Sequence, residues 1–343
     1  MEIIDLRSDT VTTPTPEMRE AMYYAKVGDD VYEEDPTVVE LEQLGANLLG
    51  KEAGLFLPSG TMGNQVAVMS WTRRGNEVIL EAESHMYYYE VGGLAVLSGV
   101  QVRTVKGERG VMNPVEVESA IRSPNIHFPE TALICVENTH NRGGGKVIPL
   151  DNMRSIYEVA KRHNLSVHLD GARIFNASIY LKLEASELAK YADSVMFCLS
   201  KGLSAPVGSL LVGSSPFIKL ARKYRKMLGG GMRQVGVIAS AGVVALKTMI
   251  NRLQEDHDNA KLLAEGLQEV PYLYVNPTEV ETNMVIIEVV SSSMSAGALA
   301  RALSKEGLFC NATSPSTIRL VTHKDINRQQ ILQSIAIFKG LKF

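Results

Sequence analysis

The stretch Asp193-Ser-Val-Met-Phe-Cys-Leu-Ser-Lys-Gly202 contains an uncharged apolar run followed closely by a lysine. Residues 195–199 are typical of a buried strand, and Gly202 allows the chain to turn after it. Lysine is unusual at this place, because strands are depleted of it and an ammonium group near a core is costly unless paired. Lys201 is therefore either a surface residue just past the strand or an amine placed for Schiff-base chemistry.

The composition is that of an ordinary globular protein. A chain of 343 residues forms one large or two ordinary domains, and hydrophobic residues make up 45% of it. The net charge of −3 gives no indication of a nucleic-acid or membrane partner. Cys135, Cys198 and Cys310 are far apart and odd in number, which predicts reduced cysteines in a cytoplasmic protein and neither a disulfide framework nor a metal site.

Neither a signal peptide nor a membrane span is expected. The N-terminal stretch Met1-Glu-Ile-Ile-Asp-Leu-Arg7 lacks a basic region followed by an apolar one. The longest weakly polar run, 235–245, is shorter than the roughly 20 residues of a membrane helix. It predicts a buried helix instead.

The first 250 residues alternate short apolar strands with helices. After a strand-like arm over 1–12, the predicted strands are 53–57, 78–80, 100–105, 132–137, 165–169, 195–199 and 208–212. The predicted helices are 16–25, 37–50 capped by Thr37, 62–71, one around 87–90, 113–121, 151–163 capped by Asp151, 184–191, 219–226 and 235–254. This alternation predicts an α/β fold with a mostly parallel sheet.

The pattern changes near residue 250. A helix to about 269, a strand over 284–289, a helix over 296–306, a strand over 317–321 and a final helix over 328–341 follow. We therefore predict a large domain over 1–250, including the N-terminal arm, and a small α+β domain over 251–343.

Five polar residues follow the ends of predicted strands. They are Thr61, His85, Asp170, Arg173 and Lys201. Each has an ordinary explanation by itself, such as a helix cap, a core histidine or a surface charge. Because ligands of parallel α/β sheets bind at the carboxyl ends of the strands, their convergence predicts a functional site.

An anion site is predicted where the first sheet strand ends. Pro58-Ser-Gly-Thr61 links a strand to a helix, so free N–H groups and the helix dipole favour a negative charge there. The spacing is that of neither a Walker loop nor a dinucleotide-binding loop, and a plain helix cap is the alternative. Together, the amine, aspartate, arginine, stacking histidine and anion site match the requirements of pyridoxal phosphate.

Eight motifs resemble those of one enzyme family. They are Ile4-Asp-Leu-Arg-Ser-Asp-Thr-Val-Thr12, Val27-Gly-Asp-Asp-Val-Tyr32, Pro58-Ser-Gly-Thr-Met-Gly-Asn-Gln65, Glu137-Asn-Thr-His-Asn141, His168-Leu-Asp-Gly-Ala-Arg173, Cys198-Leu-Ser-Lys-Gly202, Gly229-Gly-Gly-Met-Arg-Gln234 and Arg319-Leu-Val-Thr-His323. In this order they are similar to the low-specificity L-threonine aldolases (L-allo-threonine aldolase group). The resemblance implies a fold-type I pyridoxal-phosphate enzyme with an aspartate-aminotransferase-like large domain. One departure is Glu33, where this family commonly has glycine.

The resemblance also implies the roles of the site residues. Lys201 would form the Schiff base, Asp170 would pair with the ring nitrogen, and His85 would stack on the ring. Arg173 would support the ring oxygen and reach the substrate. The implied phosphate ligands are Ser59, Gly60, Thr61 and Ser200, with Arg233 and Lys226 from a neighbouring subunit. Ser8 and Arg319 would bind the substrate carboxylate, with Tyr32, Glu90 and His127 near the substrate side chain. No metal ion is expected.

The implied reaction is cleavage of L-threonine or L-allo-threonine to glycine and acetaldehyde. The base for the hydroxyl proton stays open between His85, His127 and a water held by Glu90. Another fold-type I enzyme, either a β-eliminating lyase or an aminotransferase, and a non-catalytic cofactor-binding protein are the alternatives. The resemblance further implies a homotetramer, a dimer of dimers whose active sites are shared between subunits.

Overall fold

The computed structural model describes residues 3–292 and 294–341, so the first two residues of the N-terminal arm lie outside it. The strands are β1 (Ile4–Asp5), β2 (Ala53–Leu57), β3 (Glu77–Glu81), β4 (Gln101–Val105), β5 (Gly107–Glu108), β6 (Val111–Met112), β7 (Thr131–Glu137), β8 (Ser166–Asp170), β9 (Ser194–Cys198), β10 (Ser209–Gly213), β11 (Leu273–Tyr274), β12 (Met284–Val289), β13 (Leu308–Phe309), β14 (Asn311–Ala312) and β15 (Thr317–Val321). The α-helices are α1 (Pro16–Tyr23), α2 (Pro36–Leu48), α3 (Gly60–Trp71), α4 (His85–Tyr88), α5 (Pro114–Ala120), α6 (Leu150–Arg162), α7 (Ile174–Leu181), α8 (Ala185–Ala189), α9 (Ser215–Met227), α10 (Gly236–Thr248), α11 (Leu253–Leu267), α12 (Ala296–Lys305) and α13 (Arg328–Gly340).

The central sheet has seven strands in the order β2–β10–β9–β8–β7–β3–β4. β9, β8, β7, β3 and β4 pair in parallel, whereas β10 is antiparallel to both of its neighbours, β9 and β2. β2 therefore runs in the same direction as the parallel strands. The carboxyl ends of six strands meet at one edge, which confirms the predicted α/β class with a mostly parallel sheet.

Helices cover both faces of this sheet, as parallel strands require. Every residue of β9 and β10 is buried. α6, for example, has one apolar face: it buries Met153, Ile156, Val159 and Ala160, which follow the three-to-four-residue spacing of a helix face.

Two predicted helix caps are wrong. α2 is capped by Asp35 instead of Thr37, because Asp35 Oδ1 accepts the N–H groups of Thr37 and Val38 at 3.1 Å each. The Thr37 hydroxyl donates instead to the carbonyl of Lys26 at 2.6 Å. α6 begins at Leu150, so Asp151 lies within its first turn, where a negative charge suits the helix dipole.

The predicted apolar helix over 235–254 is also wrong, because it consists of α10 and the start of α11, which are bent by 70°. Residues 249–252 form the turn between them and include neither glycine nor proline, so no helix breaker marks the bend. α7 lies outside the predicted helices. Among the described residues, no single helix is long and apolar enough to cross a membrane.

The C-terminal part forms a second layer with its own core. Its antiparallel sheet has the order β11–β12–β15–β14 and packs with α11, α12 and α13. The N-terminal arm joins this core, since Ile4 and Leu6 are buried in it and β1 pairs in parallel with β13. The division into domains 1–250 and 251–343 remains a prediction, but the arm contacts the smaller core.

Glu33 keeps the turn that a glycine would favour. Its φ of 61° is in the left-handed region, which costs a non-glycine residue roughly 1 kcal/mol. The Glu33 carboxylate accepts a 2.8 Å contact from Arg222 Nε. The departure from the family pattern therefore leaves the turn conformation in place.

Candidate functional site

The carboxyl edge of the central sheet brings the five convergent residues to one place. Thr61 is the second residue of α3, and His85 is the first residue of α4. Asp170 is the last residue of β8, Arg173 immediately precedes α7, and Lys201 follows β9 by three residues. The structure therefore places them together at the expected edge, while their individual roles remain predictions.

The buried carboxylate of Asp170 is surrounded by donors. Its Oδ2 accepts from Asn64 Nδ2 at 2.8 Å, and its Oδ1 accepts from the backbone N–H of Ala172 at 3.1 Å. Asp170 is 2% exposed. A carboxylate that accepts hydrogen bonds from two N–H groups suits a partner for a protonated ring nitrogen.

His85 is oriented by a second buried carboxylate. Its Nδ1 lies 3.2 Å from Glu90 Oε1, which also accepts from Asn64 Nδ2 at 2.9 Å. Burial by itself lowers the pKa of His85, but the hydrogen bond to Glu90 and the charges of Asp170 and Glu90 outweigh it, so the pKa is raised. Because Nδ1 is bound to Glu90, Nε2 is the ring nitrogen that points away from Glu90.

Glu90 thus lies behind His85 and not in the open part of the site. Its Oε2 accepts from Gln65 Nε2 at 2.5 Å, and its side chain is buried. One ligand atom from each of His85, Glu90 and Asp170 lies within 4.8 Å of the others, a spacing that a metal ion would also accept. The absence of a metal stays a prediction.

Asp9 is a site residue that the sequence reasoning missed. Arg173 donates to it through Nε at 2.7 Å and Nη2 at 2.6 Å, and Asn283 Nδ2 lies 3.3 Å away. Burial alone would raise the pKa of Asp9, but Arg173, Lys201 and Asn283 lower it to about 2. Its position in the quoted N-terminal motif was the available signal.

Arg319 supplies a positive group on the small-domain side. It lies on β15 between the buried Ile318 and Leu320, and its Nη1 donates to Asn141 Oδ1 at 2.8 Å. Its Nε is buried and has no hydrogen-bond partner within residues 3–292 and 294–341. Burial and the charge of Arg173 lower the pKa of Arg319. Two neighbouring cations and an unpaired N–H favour an anionic ligand.

Glu137 holds two of these elements in place. This buried carboxylate ends β7 and accepts the backbone N–H of His85 at 2.6 Å and that of Asn141 at 2.8 Å. Burial raises the pKa of Glu137. The backbone of His85 and the backbone of Asn141, whose side chain binds Arg319, are therefore both held at the end of β7.

The predicted anion turn has the expected geometry. Ser59 caps α3 by accepting the N–H of Met62 at 3.2 Å, and the half-buried Gly60 and the exposed Thr61 form the start of the helix. A Cβ at Gly60 would lie 2.9 Å from Cys198 Sγ, so glycine allows the helix to approach the end of β9. The N–H groups of a first helical turn have no partner within the helix, so they are available to an anion.

Other predicted residues are less closely joined to this group. Ser8 is half-buried and caps a turn by accepting from Thr10, and Ser200 is half-buried beside Lys201. Arg233 is exposed and bound to Asp29 at 2.9 Å, and Lys226 is exposed at the end of α9.

Tyr32 and His127 are not brought to the group within one protomer. Tyr32 is 71% exposed in the turn Asp30–Tyr32. His127 is exposed in the loop before β7, at the opposite edge of the sheet. Their predicted contact with substrate would require a neighbouring subunit.

Comparisons with known proteins decide the family. The beta-eliminating lyase family matches residues 5–290. The chain is 47% identical to low-specificity L-threonine aldolase 1 of Arabidopsis thaliana, an alignment that covers 99% of this chain and 96% of that protein. It is 46% identical to the low specificity L-threonine aldolase of Escherichia coli (strain K12), with 98% and 99% covered. The chain belongs to the low-specificity L-threonine aldolase family.

The fold agrees with this family. A solved threonine aldolase of Leishmania major superposes with a TM-score of 0.84 over 98% of both chains, at 19% identity. The predicted fold-type I architecture is confirmed. Asn64, which binds both Asp170 and Glu90, was quoted within an aldolase-like motif of the sequence but was not assigned a role there.

Proposed function

We propose that this protein is an aldehyde-lyase that cleaves L-threonine and L-allo-threonine to glycine and acetaldehyde. The observation that carries the proposal is the grouping of Lys201, Asp170 and His85 with two arginines at one sheet edge, in a chain of the threonine aldolase family. No single one of these residues defines the reaction. Their combination supplies an amine, a proton acceptor and an anion site for an amino acid.

The residues present fit pyridoxal phosphate. Lys201 would hold it through Nζ, Asp170 would face its ring nitrogen, and His85 would cover its ring. Its phosphate would lie at the start of α3, on Ser59, Gly60, Thr61 and Ser200. When bound, this cofactor supplies an electron sink conjugated to the substrate's amino group. The N–H groups of Asn64 and Ala172 hold the Asp170 carboxylate in place as a hydrogen-bond acceptor, the role that this partner requires.

The arginines orient the amino acid. The Nε of Arg319 is buried and has no partner in the described part of the chain, and the charge of Arg173 is nearby, so an α-carboxylate would relieve the repulsion between two cations. Ser8 would add a hydroxyl donor. A carboxylate fixed in this way limits rotation about Cα and holds the Cα–Cβ bond in one orientation.

His85 is the proposed acceptor of the β-hydroxyl proton. Glu90 accepts from its Nδ1, which leaves the Nε2 lone pair for the substrate when the ring is neutral. Glu90 itself is buried behind the ring, and His127 lies at the opposite edge of the sheet in the same chain. These positions favour His85 over both alternatives.

The proposed assembly is a cytoplasmic homotetramer built from dimers with shared active sites. Arg233 and Lys226 are exposed basic residues on either side of Gly229, whose φ of 83° is readily adopted by glycine. In the proposed assembly they would reach the phosphate site of a neighbouring subunit. In that assembly Tyr32 and His127 would also reach a neighbour's site. Most homo-oligomers have two-fold symmetry, so each such contact would occur twice.

The test is a product assay on the purified protein with added pyridoxal phosphate. L-threonine, L-allo-threonine and their D-isomers are supplied separately, and acetaldehyde, glycine, ammonia and 2-keto acid are all measured. The proposal predicts acetaldehyde and glycine from the L-isomers. Ammonia with keto acid would indicate the β-eliminating or aminotransferase alternatives, and cofactor binding with no product from any isomer would indicate a non-catalytic binding protein.

A further inference from the structure

A line of hydrogen-bonded side chains, of which three are buried and one is half-buried, leads away from Asp170 towards the opposite end of the sheet. Trp71 Nε1 donates to Ser194 Oγ at 2.9 Å, and Ser194 Oγ lies 2.9 Å from His168 Nδ1. His168 Nε2 lies 3.1 Å from Asn64 Oδ1, and Asn64 Nδ2 donates to Asp170 at 2.8 Å. We call Trp71, Ser194, His168 and Asn64 the polar chain.

The polar chain spans three elements that support the site. Trp71 and Asn64 lie on α3, His168 and Asp170 lie on β8, and Ser194 is the first residue of β9. His168, Ser194 and Asn64 have no exposed surface. Buried polar groups of this kind are costly unless each finds a partner, so the arrangement is strongly constrained.

The direction of the hydrogen bonds is fixed at Asn64. Its Nδ2 lies 2.8 Å from an oxygen of Asp170 and 2.9 Å from an oxygen of Glu90. A flipped amide would direct its oxygen at two carboxylates, which is repulsive. Asn64 Oδ1 therefore faces His168, and since a carbonyl oxygen only accepts, His168 Nε2 carries a proton.

The proton on His168 Nε2 determines the direction of the other hydrogen bonds in the polar chain. A neutral imidazole has one N–H, so Nδ1 of His168 accepts and the Ser194 hydroxyl donates to it. Burial lowers the pKa of His168 to about 4, in agreement with a neutral ring. Ser194 Oγ in turn accepts the indole N–H of Trp71, which can only donate.

We propose that the polar chain is a one-way hydrogen-bond relay that fixes Asn64 as a double donor to Asp170 and Glu90, with His168 as the positioning residue locked in the neutral Nε2–H tautomer. Both carboxylates are thereby kept as acceptors: Asp170 for the cofactor ring and Glu90 for His85. The consequence for cofactor binding rests on the proposed function, whereas the tautomer does not.

The direct test is nuclear magnetic resonance of the full-length protein labelled with 15N-histidine at neutral pH. The chain has seven histidines, and the signals of His168 are those missing from the spectrum of His168→Gln. The proposal predicts a protonated Nε2 and an unprotonated Nδ1, with and without pyridoxal phosphate. A proton on Nδ1, or on both nitrogens, overturns the one-way relay.

A second measurement is the affinity for pyridoxal phosphate, followed by visible absorption of the purified protein. His168→Phe removes the donor to Asn64, so we expect at least tenfold weaker binding. In His168→Gln the amide Nε2–H replaces that donor, and we expect affinity within about threefold of the unmodified protein. An equal loss of affinity in His168→Gln and His168→Phe, or no loss in either variant, contradicts the positioning role.

Matched serine variants extend this comparison. Ser194→Ala breaks the chain one link earlier, so we expect a smaller loss of affinity and a shift of the His168 nitrogen signals. The control is Ser70→Ala, which removes a hydroxyl that donates at 2.7 Å to Val66 within α3, next to Trp71 but outside the polar chain. We expect no change there. Ser194→Ala behaving as Ser70→Ala on both readouts contradicts the proposal.

The two proposals fail separately. If the unmodified protein binds no pyridoxal phosphate, the proposed function is wrong, while the histidine spectrum still decides the direction of the relay. If His168→Phe does not fold, the affinity of His168→Gln and the histidine spectrum of the unmodified protein test the proposal.

Discussion

At the scale of single residues, Asp170 and Arg319 show how the site separates its charges. Asp170 is a buried anion whose oxygens receive N–H groups from Asn64 and Ala172. Arg319 is a half-buried cation whose Nε has no hydrogen-bond partner among the residues that the structure describes. Asp170 is arranged to accept hydrogen bonds, and Arg319 is arranged to bind an anionic group.

For Asp170→Asn we expect the rate of L-threonine cleavage to fall by much more than the cofactor affinity. The amide keeps the shape but cannot stabilise a proton on the ring nitrogen. The measurement is kcat beside a cofactor titration. A rate within about tenfold of the unmodified protein, only about 1.4 kcal/mol, would show that Asp170 does not support the electron sink.

For Arg319→Leu we expect a higher KM for L-threonine with unchanged cofactor affinity. Loss of a charge-assisted pair costs roughly 2–5 kcal/mol, which corresponds to about thirtyfold or more in KM. Arg301→Leu is the control, because Arg301 is an exposed arginine in the same C-terminal part of the chain. Equal KM values in the two variants would assign Arg319 a purely structural role.

At the scale of elements, the short N-terminal arm contacts both the smaller core and the site residues. β1 pairs with β13, and four residues after β1 Asp9 pairs with Arg173 at the edge of the central sheet. Thr12 also donates to the carbonyl of Lys201 at 2.9 Å. The arm thus connects the smaller core to the site.

This connection predicts a pH dependence of stability. The pKa of Asp9 is lowered from 3.8 to about 2, so its stabilising contribution is complete above about pH 4 and is lost as the pH falls towards 2. It amounts to roughly 2 kcal/mol. Urea unfolding of the unmodified protein and of Asp9→Asn should show a stability difference at pH 6 that narrows by pH 3.

The matched control for that experiment is Asp151→Asn, since the Asp151 side chain is 85% exposed. We expect it to differ from the unmodified protein by less than about 1 kcal/mol at every pH, the contribution of an exposed charge in a first helical turn. A difference between the unmodified protein and Asp9→Asn that is constant from pH 6 to pH 3 would mean that the ionisation of Asp9 does not support the fold.

Elements were predictable where a local pattern decides them, and less so elsewhere. The strands of the central sheet follow from apolar runs, and five site residues follow from the positions after them. The bend between α10 and α11 was not predictable, because packing against two different cores sets it and no glycine or proline marks it. The cap at Asp35 was missed because the adjacent Thr37 has capping chemistry of its own.

Contacts between distant segments were the least predictable part of the site. The pair of Asp9 and Arg173 joins residues 164 positions apart, and the contact of Asn64 with Asp170 joins residues 106 positions apart. Spacing along the chain carries no record of such pairs. The family motifs contain all four residues, but a motif does not state which of its members touch.

At the scale of the whole molecule, the proposed assembly predicts that Arg233 and Lys226, which are exposed in one chain, complete the phosphate site of a neighbouring subunit. Lys201→Ala and Arg233→Ala are each expected to be nearly inactive. If Arg233 serves its neighbour, a mixed dimer has one site with both lesions and one with neither. Random exchange of subunits should therefore restore about a quarter of the activity.

The control for that experiment is the activity of Arg233→Ala alone, which must be low for the mixture to be informative. Subunit exchange is verified by mass spectrometry of the mixed assemblies. A mixture that exchanges fully yet stays inactive would place Arg233 in its own chain's site or outside the site altogether.

The central claim is that the site around Lys201 cleaves the Cα–Cβ bond of L-threonine, and its most direct test is the yield of glycine and acetaldehyde from L-threonine in unmodified protein and in Lys201→Ala. Lys190→Ala, at an exposed lysine paired with Glu187, is the control. We predict equimolar glycine and acetaldehyde from the unmodified and control proteins and none from Lys201→Ala. Undiminished production of both by Lys201→Ala, or their absence from the unmodified protein, would contradict the claim.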